Sequence, residues 1–130
     1  MTANSVLLDT SVVVRHFREA NALAERLAAY EELYLPGPAL AELYYGAFKS
    51  NRPQQHLDQI DFFLAAADVL TPDQGTSVHY GKIAAQLARK GTPIPQNDIW
   101  IAALSIQCDL PLATTDRHFQ QIEGLNLLLW

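Results

Sequence analysis

Residues 97–104 read NDIWIAAL, an Asn and an Asp followed by six apolar residues. A helix that is apolar all round has to be buried all round, so this one draws the charge of Asp98 toward the interior. Three more acids stand where apolar segments begin or end. Asp9 follows SVLL, Glu42 lies one turn into PALAELYYGAFKS at the edge of its apolar face, and Asp116 follows PLATT. Taken singly, each has a plain structural role. Asp98 or Asn97 can cap a helix, Asp116 can cap the segment RHFQQI, Asp9 can open a turn and Glu42 can lie at the surface. Taken together in one crevice they would repel, each close pair by about 1 kcal/mol in bulk water and about 4 kcal/mol at an effective dielectric near 20. A folded chain tolerates such crowding where a cation belongs. Oxygen donors without an accompanying His or Cys pattern select a hard ion, Mg²⁺ or Mn²⁺, over zinc. Carboxylate clusters that hold one or two such ions activate water and stabilise the leaving oxygen of a phosphodiester.

The elements that would position these acids can be read from the apolar spacing. Ser5–Leu8 is a short buried strand, and SVVVRHFREANALAERLAAYEE continues as a helix with Leu23, Leu27 and Tyr30 on its inner side. LYLPG closes a second strand. Pro38 then opens a helix whose Leu40, Leu43, Tyr44, Ala47 and Phe48 recur at three and four residues. Pro53 starts another amphipathic stretch through Leu57, Ile60, Phe63 and Leu64, and ADVL is a third strand. A helix from about Asp73 to Lys90 ends at Gly91, and TPIPQ is a stiffened loop that delivers the chain to Asn97. DLPLATTD gives a strand ending at Asp116, and LNLLLW gives the last one. Strands separated by helices pair in parallel, with helices covering the sheet. The expected fold is therefore α/β: a three-layer α/β/α sandwich around a central, mainly parallel sheet of about five short strands. In such open sheets the crevice lies at the carboxyl ends of the strands, which is where Asp9 and Asp116 fall.

Composition limits the alternatives. The chain has 130 residues, 49% of them apolar, enough for one core, and residues 1–130 are expected to form a single domain. A net charge of -5, from 9 Lys and Arg against 14 Asp and Glu, has the wrong sign for coating nucleic acid non-specifically. Any contact with nucleic acid must be local. Cys108 is the only cysteine, which excludes an intrachain disulfide and a cysteine-based zinc cluster and suits a reducing cytoplasm. The start MTANSVLLDTSVVV has no basic leader, and Asp9 breaks its apolar run, so it reads as neither signal peptide nor membrane span.

The stretches LLDTS, ALAELYYG, NDIWIAAL and LATTDRHF, in this order and spread over almost the whole chain, resemble the four acidic motifs of PIN-domain ribonucleases, most nearly the VapC-type toxins of bacterial toxin–antitoxin pairs. The resemblance implies an endoribonuclease dependent on Mg²⁺ or Mn²⁺, restrained by a small VapB-like antitoxin whose tail lies over the site, and assembled as a homodimer. Carried over by motif, Asp9, Glu42, Asp98 and Asp116 form the acidic cluster. Asp9, Asp98 and Asp116 would be metal ligands, with Glu42 acting through water or as an orienting carboxylate. Thr114 matches a hydroxyl position of the family, and Thr10 or Ser11 supplies the hydroxyl of the first motif.

Cations near the motifs, Arg15, Arg18, Lys49, Arg52, Arg117 and His118, could hold RNA phosphates; each has an ordinary solvated charge as its plain alternative. Tyr44 and Tyr45 could stack on bases, although Tyr44 falls on the core stripe, and Trp100 reads as core. His16, His56 and His79 lack metal-ligand spacing. Three rival classes share parts of this pattern. A phosphoacceptor receiver domain would show an early acidic pair and a late Lys, but LLDTS has one acid and no Lys follows Gly91. A haloacid-type phosphatase would place Asp at position 11, which is Ser. A non-catalytic RNA-binding or protein-interaction module on the same fold is separated from an enzyme by measured turnover alone.

Overall fold

The structure, a computed structural model, describes residues 1–19 and 22–130. Its centre is β1 (Ser5–Leu8), in which Val6, Leu7 and Leu8 are wholly buried and Ser5 nearly so. A strand covered on both faces reads as an unbroken apolar run, and SVLL does. The chain continues through α1 (Thr10–Arg18) and α2 (Ala24–Ala28) to β2 (Glu32–Pro36), and through α3 (Gly37–Lys49) and α4 (Pro53–Leu64) to β3 (Ala67–Leu70). Next come the long α5 (Gln74–Lys90), α6 (Gln96–Cys108), β4 (Leu112–Thr114), a 3₁₀ turn over Arg117–Gln121 and β5 (Leu127–Leu129).

All strand pairs are parallel, in the order β3-β2-β1-β4-β5. The first three strands build outward on one side of β1, whereas β4 and β5 add on the other, so the order reverses between β1 and β4. A crevice opens at such a reversal, outside the carboxyl ends of the strands. The register pairs Leu8 with Ala113, and the Asp9 N–H donates to the Ala113 carbonyl at 2.9 Å. The ends of β1 and β4 are thus level, and the residues that follow them are neighbours.

Helix ends follow the local chemistry. Asp73 caps α5 by accepting from the Thr76 N–H at 3.1 Å, and the Thr76 hydroxyl completes the box. Gly91, at φ 69°, closes the helix in the left-handed conformation that glycine adopts without a Cβ clash. Helix α6 lies across α5 and α3, and Ile99 and Ile101–Ser105 are buried. The one polar group in that run, the Ser105 hydroxyl, donates to the Leu110 carbonyl at 2.6 Å. Among the described residues no helix is long and apolar enough to cross a membrane.

Several expectations change. The single helix expected after Asp9 is two: α1 ends at Arg18 and α2 begins at Ala24, with Tyr30 beyond it, while Ala20 and Asn21, which the expected helix crosses, lie outside the described residues. Phe48 does not share the inner face of α3, which is Ala39, Leu43 and Ala47; it is 67% exposed and stacks on Tyr44. Trp100 is half-buried rather than core, its ring 4.4 Å from that of Tyr80. It points away from the fully enclosed side of α6, where the neighbouring residues already fill the space. Strand β4 stops at Thr114, two residues before Asp116.

Candidate active site

Asp9 sits at the N-cap of α1, yet its side chain makes no capping bond to the helix. Its Oδ2 instead accepts from the Ser11 hydroxyl at 2.7 Å and from the Thr114 hydroxyl at 2.8 Å. A capping Asp would have spent that oxygen on the second or third backbone N–H of the helix. The carboxylate is only 4% exposed, and Thr114 is fully buried. The same hydroxyls tie down the other strand end: Ser11 Oγ accepts from the Thr115 N–H at 3.1 Å, and Thr114 Oγ1 from the Asp116 N–H at 3.0 Å. Of the two hydroxyls offered by the first motif, Ser11 is the one engaged; the buried Thr10 hydroxyl has no hydrogen-bond partner.

Asp98 occupies the first turn of α6, where free N–H groups and the helix dipole favour an anion. The N-cap there is Pro95 and no side-chain cap bond forms, so neither Asn97 nor Asp98 acts as a cap. The Asp98 pKa is pushed up to about 6, first by burial, then by the charge of Asp9, with a smaller push from Glu42; its hydrogen bond and ion pair with His118 work in the opposite direction. A neighbour's charge reaches a group only when the two share a region of low screening. The hydrogen bonds agree: Thr114 joins Asp9 to the start of the Asp116 turn, and the His118 ring joins Asp116 to Asp98, so acids far apart in sequence face one crevice. Glu42 is half-buried on α3 and accepts from Asn97 Nδ2 at 3.2 Å, which ties its helix to the start of α6.

Asp116 follows β4 and caps the 3₁₀ turn, accepting from the His118 N–H at 3.3 Å. Its Oδ1 also lies 2.6 Å from His118 Nδ1, while His118 Nε2 lies 2.6 Å from Asp98 Oδ2. The imidazole thus spans the two carboxylates. Grouped with the cations for its charge, His118 is placed against acids of the site. Asn97, a candidate cap by sequence, instead donates to Glu42; its position beside Asp98 in NDIWIAAL was the signal available for that role.

The basic residues named from sequence are less convergent. Arg15 pairs with Glu19 at 2.7 Å and donates to the Trp130 carbonyl at 3.3 Å. Arg18 and Lys49 line one cavity with Glu42, and the Lys49 ammonium lies 5.0 Å from the centre of the Tyr45 ring. Arg52 is exposed at the start of α4, and Arg117 is exposed next to Asp116. That Glu42 cavity, of about 420 Å³, shares Phe17 with a larger apolar groove of about 730 Å³ lined by His16, Leu27, Phe62 and Phe63. Phe62 is 84% exposed there.

The donor chemistry fits a hard divalent cation. The crevice gathers carboxylates, that of Asp98 pushed up to about 6 by burial first and then by the charge of Asp9, and the His118 ring lies between Asp98 and Asp116. Among the described residues, however, no three His, Cys, Asp or Glu side chains stand close enough to enclose a metal as they are arranged. Asp9, Asp98 and Asp116 are the residues that would hold it.

The sequence profile of the PIN domain matches residues 6–125. Ribonuclease VapC1 of Haemophilus influenzae (strain R2866) is 31% identical over 129 residues, covering 95% of this chain and 96% of the relative. The tRNA(fMet)-specific endonuclease VapC of Salmonella typhimurium is 38% identical over 92 residues, covering 70% of each. Among solved structures, DNA-bound VapBC from Salmonella typhimurium superposes with a TM-score of 0.91 at 31% identity, and VapBC2 from Rickettsia felis, bound to a promoter DNA fragment, with 0.90 at 27%. Both cover 97% of this chain and 98% of the other.

Proposed function

The chain belongs to the PIN-domain family, and from that premise we propose that it is a metal-dependent endoribonuclease, the toxin of a VapBC-type toxin–antitoxin pair, working as one domain over residues 1–130. The observation that carries this reading is the convergence of acids from separate segments: the Thr114 hydroxyl ties Asp9 to the backbone of Asp116, and the His118 ring lies 2.6 Å from both Asp116 and Asp98. Such crowding is costly for a binding module and useful to a hydrolase that needs a cation. The ribonuclease and endonuclease names of relatives that span most of the chain support the reaction class.

In this proposal Asp9, Asp98 and Asp116 hold Mg²⁺ or Mn²⁺, which when bound supplies a Lewis acid for the scissile phosphate and lowers the pKa of water. Asp9 is oriented by the Ser11 and Thr114 hydroxyls. Glu42, carried on α3 and oriented by Asn97, faces the crevice without belonging to the Asp9–Thr114–Asp116 network. It is suited to orient the attacking water through a hydrogen bond. Arg18 and Lys49, beside Glu42, and Arg117, beside Asp116, bind the flanking RNA phosphates. Arg52 is assigned to a more distant one, and Arg15 contributes only if it leaves Glu19 and Trp130.

The partner is a small antitoxin. The apolar groove that begins at Phe62 and runs past Phe17 to the cavity beside Glu42 suits a segment with an apolar face and a basic end, the latter reaching the carboxylates. VapBC complexes of the same fold support this assignment. A homodimer in the cytoplasm completes the proposal. The test is cleavage of total cellular RNA by the purified protein with Mg²⁺, Mn²⁺ or EDTA, beside Asp98→Asn. Cleavage with metal, lost in EDTA and in the variant, is expected. A folded wild type that cuts no RNA with either metal, or a variant that cuts equally well, overturns the enzyme reading in favour of a non-catalytic module.

A further inference from the structure

Among the described residues, His118 is the basic side chain that sets both ring nitrogens against carboxylates of the crevice. Nε2 lies 2.6 Å from Asp98 Oδ2 and Nδ1 lies 2.6 Å from Asp116 Oδ1. The ring is stacked on that of the fully buried Phe119, centroids 4.9 Å apart at 28°. Its backbone N–H donates to the same Asp116 carboxylate at 3.3 Å. Both nitrogens face carboxylate oxygens. Charge-assisted contacts of this length are among the stronger hydrogen bonds.

We propose that His118 is a built-in competitor for the divalent cation: its imidazole bridges Asp98 and Asp116 in the metal-free protein, and the ion gains these two carboxylates only when the ring swings out. An ion the size of Mg²⁺ draws its oxygen ligands to roughly 2.0–2.1 Å from one centre. A ring engaged through both nitrogens holds the two carboxylate oxygens on different sides of itself and so keeps them from meeting. Rotation about the side-chain bonds of His118 releases both oxygens and leaves the backbone of the 3₁₀ turn in place. The free protein is then held unloaded by its own side chain, and a local rise in metal tips the balance.

The inference rests on Asp98 and Asp116 as carriers of the cation, and the test separates the two. Mn²⁺ binding to the purified metal-free protein is measured by calorimetry for wild type, His118→Ala, His118→Gln and Asp98→Asn, each first shown to be folded by its melting curve. The histidine variants are expected to bind Mn²⁺ roughly tenfold or more tightly than wild type, as loss of a competing contact of this strength implies, and Asp98→Asn to bind more weakly. In wild type, Mg²⁺ should shift the imidazole ¹⁵N resonances of His118, identified by their absence from His118→Ala. Equal or weaker Mn²⁺ binding by both histidine variants, with Asp98→Asn still impaired, overturns the competition and leaves the metal site standing. No Mn²⁺ binding by any of the proteins overturns the metal site and the competition with it.

Discussion

The Thr114 hydroxyl donates to Asp9 Oδ2 at 2.8 Å, joining residues 105 positions apart in the chain. It also accepts from the Asp116 N–H, so one fully buried oxygen fixes the carboxylate after β1 and the backbone that leads to the carboxylate after β4. The parallel register that levels Leu8 with Ala113 makes this possible.

Thr114→Val keeps the shape of the side chain and removes that oxygen. It leaves a buried carboxylate short of one donor and the Asp116 N–H without its acceptor, a loss of about 1–3 kcal/mol. A lower melting temperature is expected together with slower RNA cleavage, because Asp9 and Asp116 lose their common tether. Unchanged melting and unchanged cleavage would mean that the hydroxyl does not organise the site.

Phe62 gives a test of the partner assignment. With 84% of its surface exposed, it contributes little to the fold, and Phe62→Asp should melt within a few degrees of wild type. If the groove receives an apolar antitoxin segment, the aromatic is an anchor, and its loss should weaken antitoxin binding by about 2 kcal/mol or more, roughly thirtyfold. Titration of the neighbouring gene's small product into labelled wild type and variant measures this. Equal affinities would place the antitoxin elsewhere.

Acid sensitivity has a local source outside the site. Glu32 accepts from the Thr2 N–H at 2.6 Å and from the Ser5 hydroxyl at 2.7 Å, and these bonds hold its carboxyl down at about 2. Its folded pKa lies below the unfolded one, so its stabilising contribution is complete above about 4.5 and fades as pH falls toward 2. Glu32→Gln should therefore melt lower than wild type at pH 6 and approach it at pH 2.5. A gap that stays constant between those values would show that the carboxylate is not held in its charged form.

The sheet and the acids were legible because both depend on short patterns. SVLL and, apart from Trp100, the apolar run of α6 are buried and carry no polar residue that water could reach, and acids stand where those runs begin or end. What escaped depends on contacts between distant segments. The split between α1 and α2 lies in a stretch whose Leu23 and Leu27 keep helical spacing across the break. Trp100 is apolar in an apolar helix, and only the packing of α6 against α5 decides that it lies beside Tyr80. His118 was visible as a basic residue near an acid, but its bridge to Asp98 needs the 3₁₀ turn and the first turn of α6 to meet, which no local spacing encodes.

Charge crowding at Asp98 should be measurable as a stability cost. Its folded pKa, about 6, lies above the unfolded reference of 3.8. For a raised carboxyl, the favourable contribution is complete below the unfolded value and is lost as pH rises through the folded one. At pH 7.5 in EDTA the ionised carboxylate beside Asp9 and Glu42 therefore costs the folded state on the order of 2–3 kcal/mol. Asp98→Asn removes that charge. Losing the anion at the start of α6 takes back typically about 0.3–1 kcal/mol, and the His118 contact becomes weaker because it is no longer charge-assisted. The expected net result is a variant that melts a few degrees above wild type at pH 7.5 and within a degree or so of it at pH 3.5, where wild-type Asp98 is protonated. Saturating Mg²⁺ should raise the wild-type melting temperature and leave the variant's nearly unmoved, since only a protein that binds the ion gains from it. A variant that melts below wild type at pH 7.5 in EDTA, with wild type indifferent to Mg²⁺, would mean that Asp9, Glu42 and Asp98 do not strain one another in solution.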